Sequence, residues 1–161
     1  MSRLCLGRAI DDVLEAVVAR IEKSGLDQIG TEEEKQHLAA FARRLPESAE
    51  LLVADKYGTV TAAVPSLSST INVRHREWFS TLKEHKAELA VGRAVRGRGF
   101  HDLIFAVARS IRGPDGTFLG AVQVGAEMTY LRTSSAVLML GLLQRWVSIE
   151  LQMEQWWPGS P

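Results

Sequence analysis

The feature that most constrains the fold is a pair of apolar segments joined by a turn signal. Two sets of residues alternate along 103–111, one being Leu103, Phe105, Val107, Arg109 and Ile111 and the other Ile104, Ala106, Ala108 and Ser110. Alternation of this kind is typical of a β-strand, and both sets are apolar enough to be buried. Gly113-Pro114-Asp115-Gly116 is a strong turn signal, and 118–125 reads as a small, apolar closing strand. The pair predicts a hairpin inside a sheet.

Three further segments predict the rest of that sheet. Residues 51–54 and 59–64 are rich in β-forming side chains and flank a turn that ends in Gly58, which is the pattern of a hairpin. Residues 89–92 open a third strand, and the glycines and arginines of 93–99 predict a flexible basic turn after it. The expected sheet therefore has five strands.

Helices are predicted before and between these strands. Residues 8–24 place apolar side chains at three- and four-residue spacing, which indicates an amphipathic helix ended by Ser24-Gly25. Thr31-Glu32-Glu33-Glu34 is a capping box that starts a second helix before Pro46, and its carboxylates suit the positive end of a helix dipole. A short helix or two is expected within 78–89. The fold class predicted is α+β with an antiparallel sheet.

Composition and charge narrow the class of protein. The 161 residues suit one domain, and the formal net charge is +0. Residues 1–60 hold eight Lys/Arg against eleven Asp/Glu, whereas 74–112 hold nine against four. A net of +5 in the middle of the chain favours an anionic partner but is too weak to indicate nucleic acid. Cys5 is the only cysteine, so neither a disulfide nor a cysteine-based metal site is expected.

Motifs for catalysis, metals and cofactors are not found. The four histidines lack the paired spacing of a zinc site, and no phosphate-binding glycine loop or G-x-S-x-G elbow follows a strand. The N-terminus lacks the continuous apolar stretch of a signal peptide, and the longest apolar run, 136–143, is too short to span a bilayer. We therefore expect no enzyme activity, no metal and no cofactor.

An arginine-aromatic cluster, Val73-Arg74-His75-Arg76-Glu77-Trp78-Phe79, is the main candidate for a site. A guanidinium presents a planar fork of donors that suits a carboxylate or phosphate, and aromatic rings supply an apolar wall. Arg76 and Trp78 therefore predict a binding site for a small anion. The structural alternative is an aromatic anchor beneath a solvated basic loop.

Arg109 is a second cation, on an otherwise apolar strand. A buried arginine must be paired, so either a ligand or an internal carboxylate is required. The internal candidates are Glu77, Asp102 and Glu127. Both alternatives stay open for this residue.

The order of these motifs resembles one known family. D-x-x-G, R-E-W-F, A-V-G-R, A-V-A-R-S-I and G-P-D-G-T-F-L-G-A-V-Q-V follow one another as in the extracytoplasmic Cache (PAS-like, PDC) sensor domains of bacterial histidine kinases, diguanylate cyclases and chemoreceptors. The resemblance implies a five-stranded antiparallel sheet with long N-terminal helices on one face and a cap over a ligand pocket on the other. It also implies these ligand-binding residues: Arg76, Trp78, Phe79, His101, Asp102 and Arg109.

Two departures from the family's pattern bear on the ligand. Amino-acid-sensing members usually carry an acidic residue on the closing strand, where this chain has Gly125, and a tyrosine before the arginine, where it has Ile71. An organic acid or another anion therefore fits better than an amino acid. The resemblance covers roughly residues 10–131. We therefore expect 1–131 to form one sensor domain with its N-terminal helices, and 132–161 to form an atypical apolar tail, helical in part.

The first hypothesis is a non-catalytic sensing module of a bacterial signal-transduction protein that binds a small carboxylate-bearing molecule. By resemblance it would lie on the extracytoplasmic side of the inner membrane, although the chain's lack of a span also allows the cytoplasm. A homodimer would form through the N-terminal helix or the tail. The alternatives are a cytoplasmic PAS- or GAF-like interaction domain without a ligand, and a small enzyme using His75 or His101 as a base.

Overall fold

The computed structural model describes residues 6–47, 49–84, 87–96 and 103–127, and it describes side chains within 9–47, 49–84, 87–92 and 103–127. The predictions for His101, Asp102 and the tail 132–161 lie outside the described residues. No helix in the described ranges has the length and apolar character needed to cross a membrane.

Five strands form one antiparallel sheet in the order β2-β1-β5-β4-β3. Their bounds are β1 Glu50–Asp55, β2 Val60–Val64, β3 Leu89–Arg96, β4 Leu103–Arg112 and β5 Phe118–Glu127. The closing strand β5 lies at the centre of the sheet, between β1 and β4. The hairpin of β1 and β2 lies on one side of it, and the hairpin of β3 and β4 lies on the other. The predicted α+β class is confirmed, and so is the burial of β4 on both faces; β5, predicted as a small apolar strand, is buried on both faces as well.

The prediction for β3 was wrong at its end. The strand continues through Arg93–Arg96, where a basic turn was expected, and its register against β4 shifts between Gly92 and Val95. Strand β3 lies at the edge of the sheet, and charged residues are common on edge strands. The glycines and arginines of 93–99 therefore predicted a turn, whereas in the structure residues 93–96 belong to a bulged edge strand.

Three helices flank the sheet: α1 Leu6–Ser24, α2 Glu32–Ala42 and α3 Glu77–Lys83, with a short 3-10 turn at Leu26–Gln28 between the first two. The apolar stripe predicted for α1 packs on the sheet, since Val13, Leu14 and Val17 are fully buried. The Thr31 hydroxyl accepts the Glu34 backbone N–H at 3.4 Å, as a capping box requires.

The two sheet faces carry different cores. The face toward α1 and α2 holds the larger cluster, which includes Leu51, Phe105 and Val122. The opposite face, here called the cap face, is covered by residues 71–84, here called the cap, over small side chains such as Ala108. Large residues thus pack against the helices on one side of the sheet, and small ones lie beneath the cap on the other.

Candidate functional site

The aromatic residues of the predicted cluster anchor the cap to the sheet. Trp78 and Phe79 are 5% and 1% exposed. Their ring centroids lie 5.8 Å apart in an edge-to-face arrangement, and Phe79 meets Phe118 of β5 in the same way at 5.5 Å. Such pairs add to the free energy gained by burying the rings. These two residues form the wall of any site beneath the cap.

The start of the cap is held by the turn between β1 and β2. The Val73 backbone N–H donates to the Gly58 carbonyl at 2.7 Å, and the Asn72 side-chain amide donates to the Tyr57 carbonyl at 3.2 Å. Gly58 has φ +83, and a Cβ there would lie 2.6 Å from the Arg74 backbone nitrogen. A glycine is therefore needed both for the turn and for the approach of the cap.

The end of the cap is tied to the far end of the sheet. The guanidinium of Arg112 donates to the backbone carbonyls of Leu82 and Gly116, and it lies 5.4 Å from the Phe118 ring centroid. A carbonyl at the C-terminal end of a short helix lacks an intrahelical donor, so this arginine supplies one. Both ends of α3 are thereby fixed over the sheet.

Four residues form one row across the cap face: Glu50, Gly125, Ala106 and Gly92, here called the floor row. They come from β1, β5, β4 and β3, so the row spans about 14 Å at the usual spacing between strands. A Cβ on Gly92 would lie 2.6 Å from Trp78 Cδ1, so the indole packs directly on that glycine. The row therefore runs from a carboxylate to an aromatic wall over three very small residues.

Glu50 fills the space that Gly125 leaves. A Cβ on Gly125 would lie 2.8 Å from both Cγ and Oε1 of Glu50 and 3.0 Å from Nε2 of Gln123. Gln123 is 5% exposed and its side chain hydrogen-bonds the Glu50 carboxylate. Burial raises the pKa of Glu50 above its usual range, while the Gln123 hydrogen bond and the charge of Arg76 lower it, and burial prevails.

Arg76 is the cation of this site. It directly precedes α3, with its backbone N–H donating to the Val73 carbonyl at 2.9 Å, and its side chain is partly buried. Its charge acts on Glu50. Among the described residues, no carboxylate lies within salt-bridge distance of the Arg76 guanidinium. A partly buried guanidinium in that position retains donors for a ligand.

Arg109 lies on the other face of the sheet. Its Nη2 donates to Asp11 Oδ1 at 2.8 Å and lies 3.4 Å from Glu15 Oε1, so it joins β4 to α1. The internal pairing considered for this arginine therefore occurs, but with helix carboxylates rather than with Glu77 or Glu127. Arg109 is thus not brought together with Arg76 and Trp78.

Among the other residues of the arginine-aromatic cluster, Val73 is buried in the core of the cap face, whereas Arg74, His75 and Glu77 are exposed. The Arg74 backbone N–H donates to the Asn72 side-chain oxygen at 2.9 Å. These exposed residues belong to the surface of the cap. His101 and Asp102 lie outside the described residues.

Glu50 and Gln123 were missed in the sequence. Gln123 did carry a signal, because it is the one strongly polar side chain within the apolar run 118–125. Glu50 directly precedes Leu51, where the first strand was predicted to begin. Its role depends on pairing with Gly125, and strand register across β1 and β5 is not visible in the sequence.

A metal site is not formed in this part of the molecule. Within the described residues, no group of three or more His, Cys, Asp or Glu side chains could hold a metal ion. The chemistry that the site offers is therefore hydrogen bonding and charge: a guanidinium, a half-buried carboxyl and an amide around an apolar floor.

Comparison with known proteins identifies the fold. No protein-family model matches the sequence, and no curated protein matches it. The extracellular domain of the histidine kinase rpHK1S-Z16 superposes with a TM-score of 0.64 at 20% identity, covering 80% of this chain and 54% of that one. The fold expected from the resemblance is confirmed, since most of this chain superposes on this and the following structures, which are sensor or ligand-binding domains.

Two further structures agree with this result. The ligand-binding domain of the Pseudomonas aeruginosa amino acid chemoreceptor PctC, in complex with GABA, gives a TM-score of 0.60 at 18% identity and covers 80% of this chain and 59% of that one. The sensor domain of the Vibrio cholerae histidine kinase DctB gives 0.55 at 14% identity, covering 78% and 47%. The chain thus spans about half the length of these structures. At such identities the likeness shows the fold.

Proposed function

We propose that this chain is a non-catalytic ligand-sensing module of a bacterial signal-transduction protein and that it binds a small carboxylate-bearing molecule beneath the cap. The observation that carries the proposal is Arg76, a partly buried guanidinium over the small-residue cap face without a carboxylate at salt-bridge distance among the described residues. The Cache-type fold, shared with ligand-binding domains of chemoreceptors and histidine kinases, supports the sensing role.

In this proposal Arg76 holds the ligand's carboxylate and Trp78 packs against its apolar part. A charge-assisted, bidentate contact to a guanidinium is about twice as strong as a neutral hydrogen bond, and it also fixes orientation. Along the floor row only Ala106 lies between Gly125, over which the Glu50 side chain packs, and Gly92, on which the Trp78 ring packs. The ligand is therefore a small molecule, of the size of a short organic acid.

The signal would pass through the sheet to α1. Ligand that favours one position of the cap shifts the population of sheet conformations, and α1 lies directly on the other face. The apolar stripe of α1 is already used in that packing, so a homodimer through this helix would use its polar side. We also propose that the module lies on the extracytoplasmic face of the inner membrane, and its likeness to the extracellular domain of a histidine kinase supports this.

A thermal-shift screen of small carboxylates tests the proposal. A ligand that binds the native state raises the melting temperature by mass action. We expect at least one organic acid to raise it for the full chain and for Arg74→Ala, but not for Arg76→Ala. Arg74 is the matched control because it lies two residues away in the same segment and is exposed. A shift that survives in Arg76→Ala would contradict the proposed contact.

A further inference from the structure

A carboxylate lies in the same site as the proposed anion contact. Glu50 begins β1, bends over the bare Cα of Gly125 and accepts a hydrogen bond from the Gln123 amide, on the sheet face that the cap covers. An ionised carboxylate at this position would repel an anion bound in the same site. Glu50 therefore needs a role of its own.

The charged groups around Glu50 can be named. Arg76 faces it from the cap, and Glu127 lies two residues beyond Gly125 on the same face of β5. The neighbouring strand β2 (Val60–Val64) has no charged side chain, and Gln123 is neutral. Among the described residues, Arg76 is thus the cation whose charge acts on Glu50.

A ligand carboxylate at Arg76 would place two negative charges beside one guanidinium in a partly desolvated space. Two carboxylates that share a site do not both stay ionised, because their repulsion raises the pKa of one of them. Glu50 is the carboxyl that we expect to become protonated, since burial already raises its pKa. Its neutral form keeps a carbonyl oxygen for the Gln123 amide and gains an O–H that can donate to the ligand.

We infer that Glu50 takes up a proton when the site is filled, so that a carboxylate ligand at Arg76 binds together with one proton taken from solvent by Glu50. The inference rests on the proposed function and adds a regulation of the same site. Mild acid then strengthens binding, and a carboxylate without an ammonium group is preferred. Gly125 is the residue that makes this possible, because a side chain there would displace the Glu50 carboxylate.

The first arm of the test needs no ligand. We expect NMR titration of the Glu50 side-chain carboxyl in the full chain to give a pKa above the usual 4.5. Arg76→Gln should raise it further by removing the nearby positive charge, whereas Arg74→Gln should leave it unchanged. A pKa at or below the usual value, or one insensitive to Arg76, overturns the inference.

The second arm uses succinate and GABA as probes in titration calorimetry, at several pH values and in two buffers that differ in ionisation enthalpy. Between the pKa of Glu50 in the free protein and its higher pKa in the complex, we expect succinate affinity to rise about tenfold for each unit of pH lowered, with uptake of one proton. In Glu50→Gln, binding at neutral pH should be tighter, independent of pH and without proton uptake.

The outcomes separate the two ideas. Binding that depends on Arg76 but takes up no proton, or GABA binding that weakens in Glu50→Gln, would overturn the role of Glu50 alone; the latter would make Glu50 an ammonium acceptor. If neither probe binds the wild type or Glu50→Gln in an Arg76-dependent way, the proposed function fails, and the inference fails with it.

Discussion

At the scale of the residue, Glu34 shows how one carboxylate can join two helices. Its side chain is 6% exposed and its Oε1 accepts from Arg20 Nη2 at 2.8 Å, linking α2 to α1. The Arg20 hydrogen bond holds the pKa of Glu34 below its usual 4.5. A carboxyl with a lowered pKa stabilises the fold above its unfolded-state pKa, and that stability is lost as the pH falls through the folded-state value.

Glu34→Gln is therefore expected to lower the melting temperature at neutral pH, and the difference from wild type should shrink as the pH falls below 4.5. Glu33→Gln is the matched control, because Glu33 is adjacent and its side chain is 79% exposed. It should change the melting temperature little. Equal effects of the two substitutions in thermal melts would contradict the assignment.

The two turn glycines allow a second test. Gly58 and Gly116 both have φ +83, but a Cβ on Gly58 would meet the Arg74 backbone, whereas nothing lies within 4 Å of one on Gly116. Gly116→Ala should cost about 1 kcal/mol of the free energy of unfolding, from backbone strain alone. Gly58→Ala should cost more in denaturant melts, since the cap must also move. Equal losses of unfolding free energy in the two variants would show that the position of the cap does not depend on its close contact with Gly58.

At the scale of the element, α1 is attached to the sheet by apolar packing and by the ionic contacts of Arg109 with Asp11 and Glu15. Arg109 is 20% exposed and bonds Asp11, which is 30% exposed, near the start of the helix. The cap packs on the opposite face of the same sheet. A movement of the sheet caused by the cap would therefore be transmitted to α1 through the contact between Arg109 and Asp11. Its proposed importance is in coupling as well as in stability.

Asp11→Asn should lower the free energy of unfolding by about 1–2 kcal/mol, because it weakens the pairing of a mostly buried guanidinium. Hydrogen exchange of α1 amides should then become faster than that of the strand amides. Asp12→Asn is the control, since Asp12 is exposed on the same helix. No difference between the two variants would show that the Asp11 contact does not fix the helix.

At the scale of the molecule, patterns local to the chain predicted most of the architecture. The alternation of β4 and the apolar stripe of α1 each follow from burial of one face, and both are confirmed. The end of β3 was mispredicted because its arginines lie on an edge strand, where backbone pairing alone decides. Local sequence patterns were thus sufficient to predict an element wherever burial of one face gave its apolar residues a regular spacing.

The candidate site was less accessible from the sequence. Arg76 and Trp78 were found because they are adjacent in the chain, whereas the floor row joins four strands and requires the register of the whole sheet. The alternation of β4 showed that Arg109 shares a face with Phe105, but not which face packs on α1. Contacts between distant segments were therefore the part that the sequence did not reveal.

The central claim is that a small carboxylate binds on the cap face of the sheet. Backbone NMR of the full chain during titration with a carboxylate found in the thermal-shift screen tests it most directly. We predict the largest shift changes at Gly92, Ala106, Gly125 and Arg76, with small changes in α1 at the same ligand concentration. Changes centred on the α1 face, or the same pattern in Arg76→Ala, would contradict the claim.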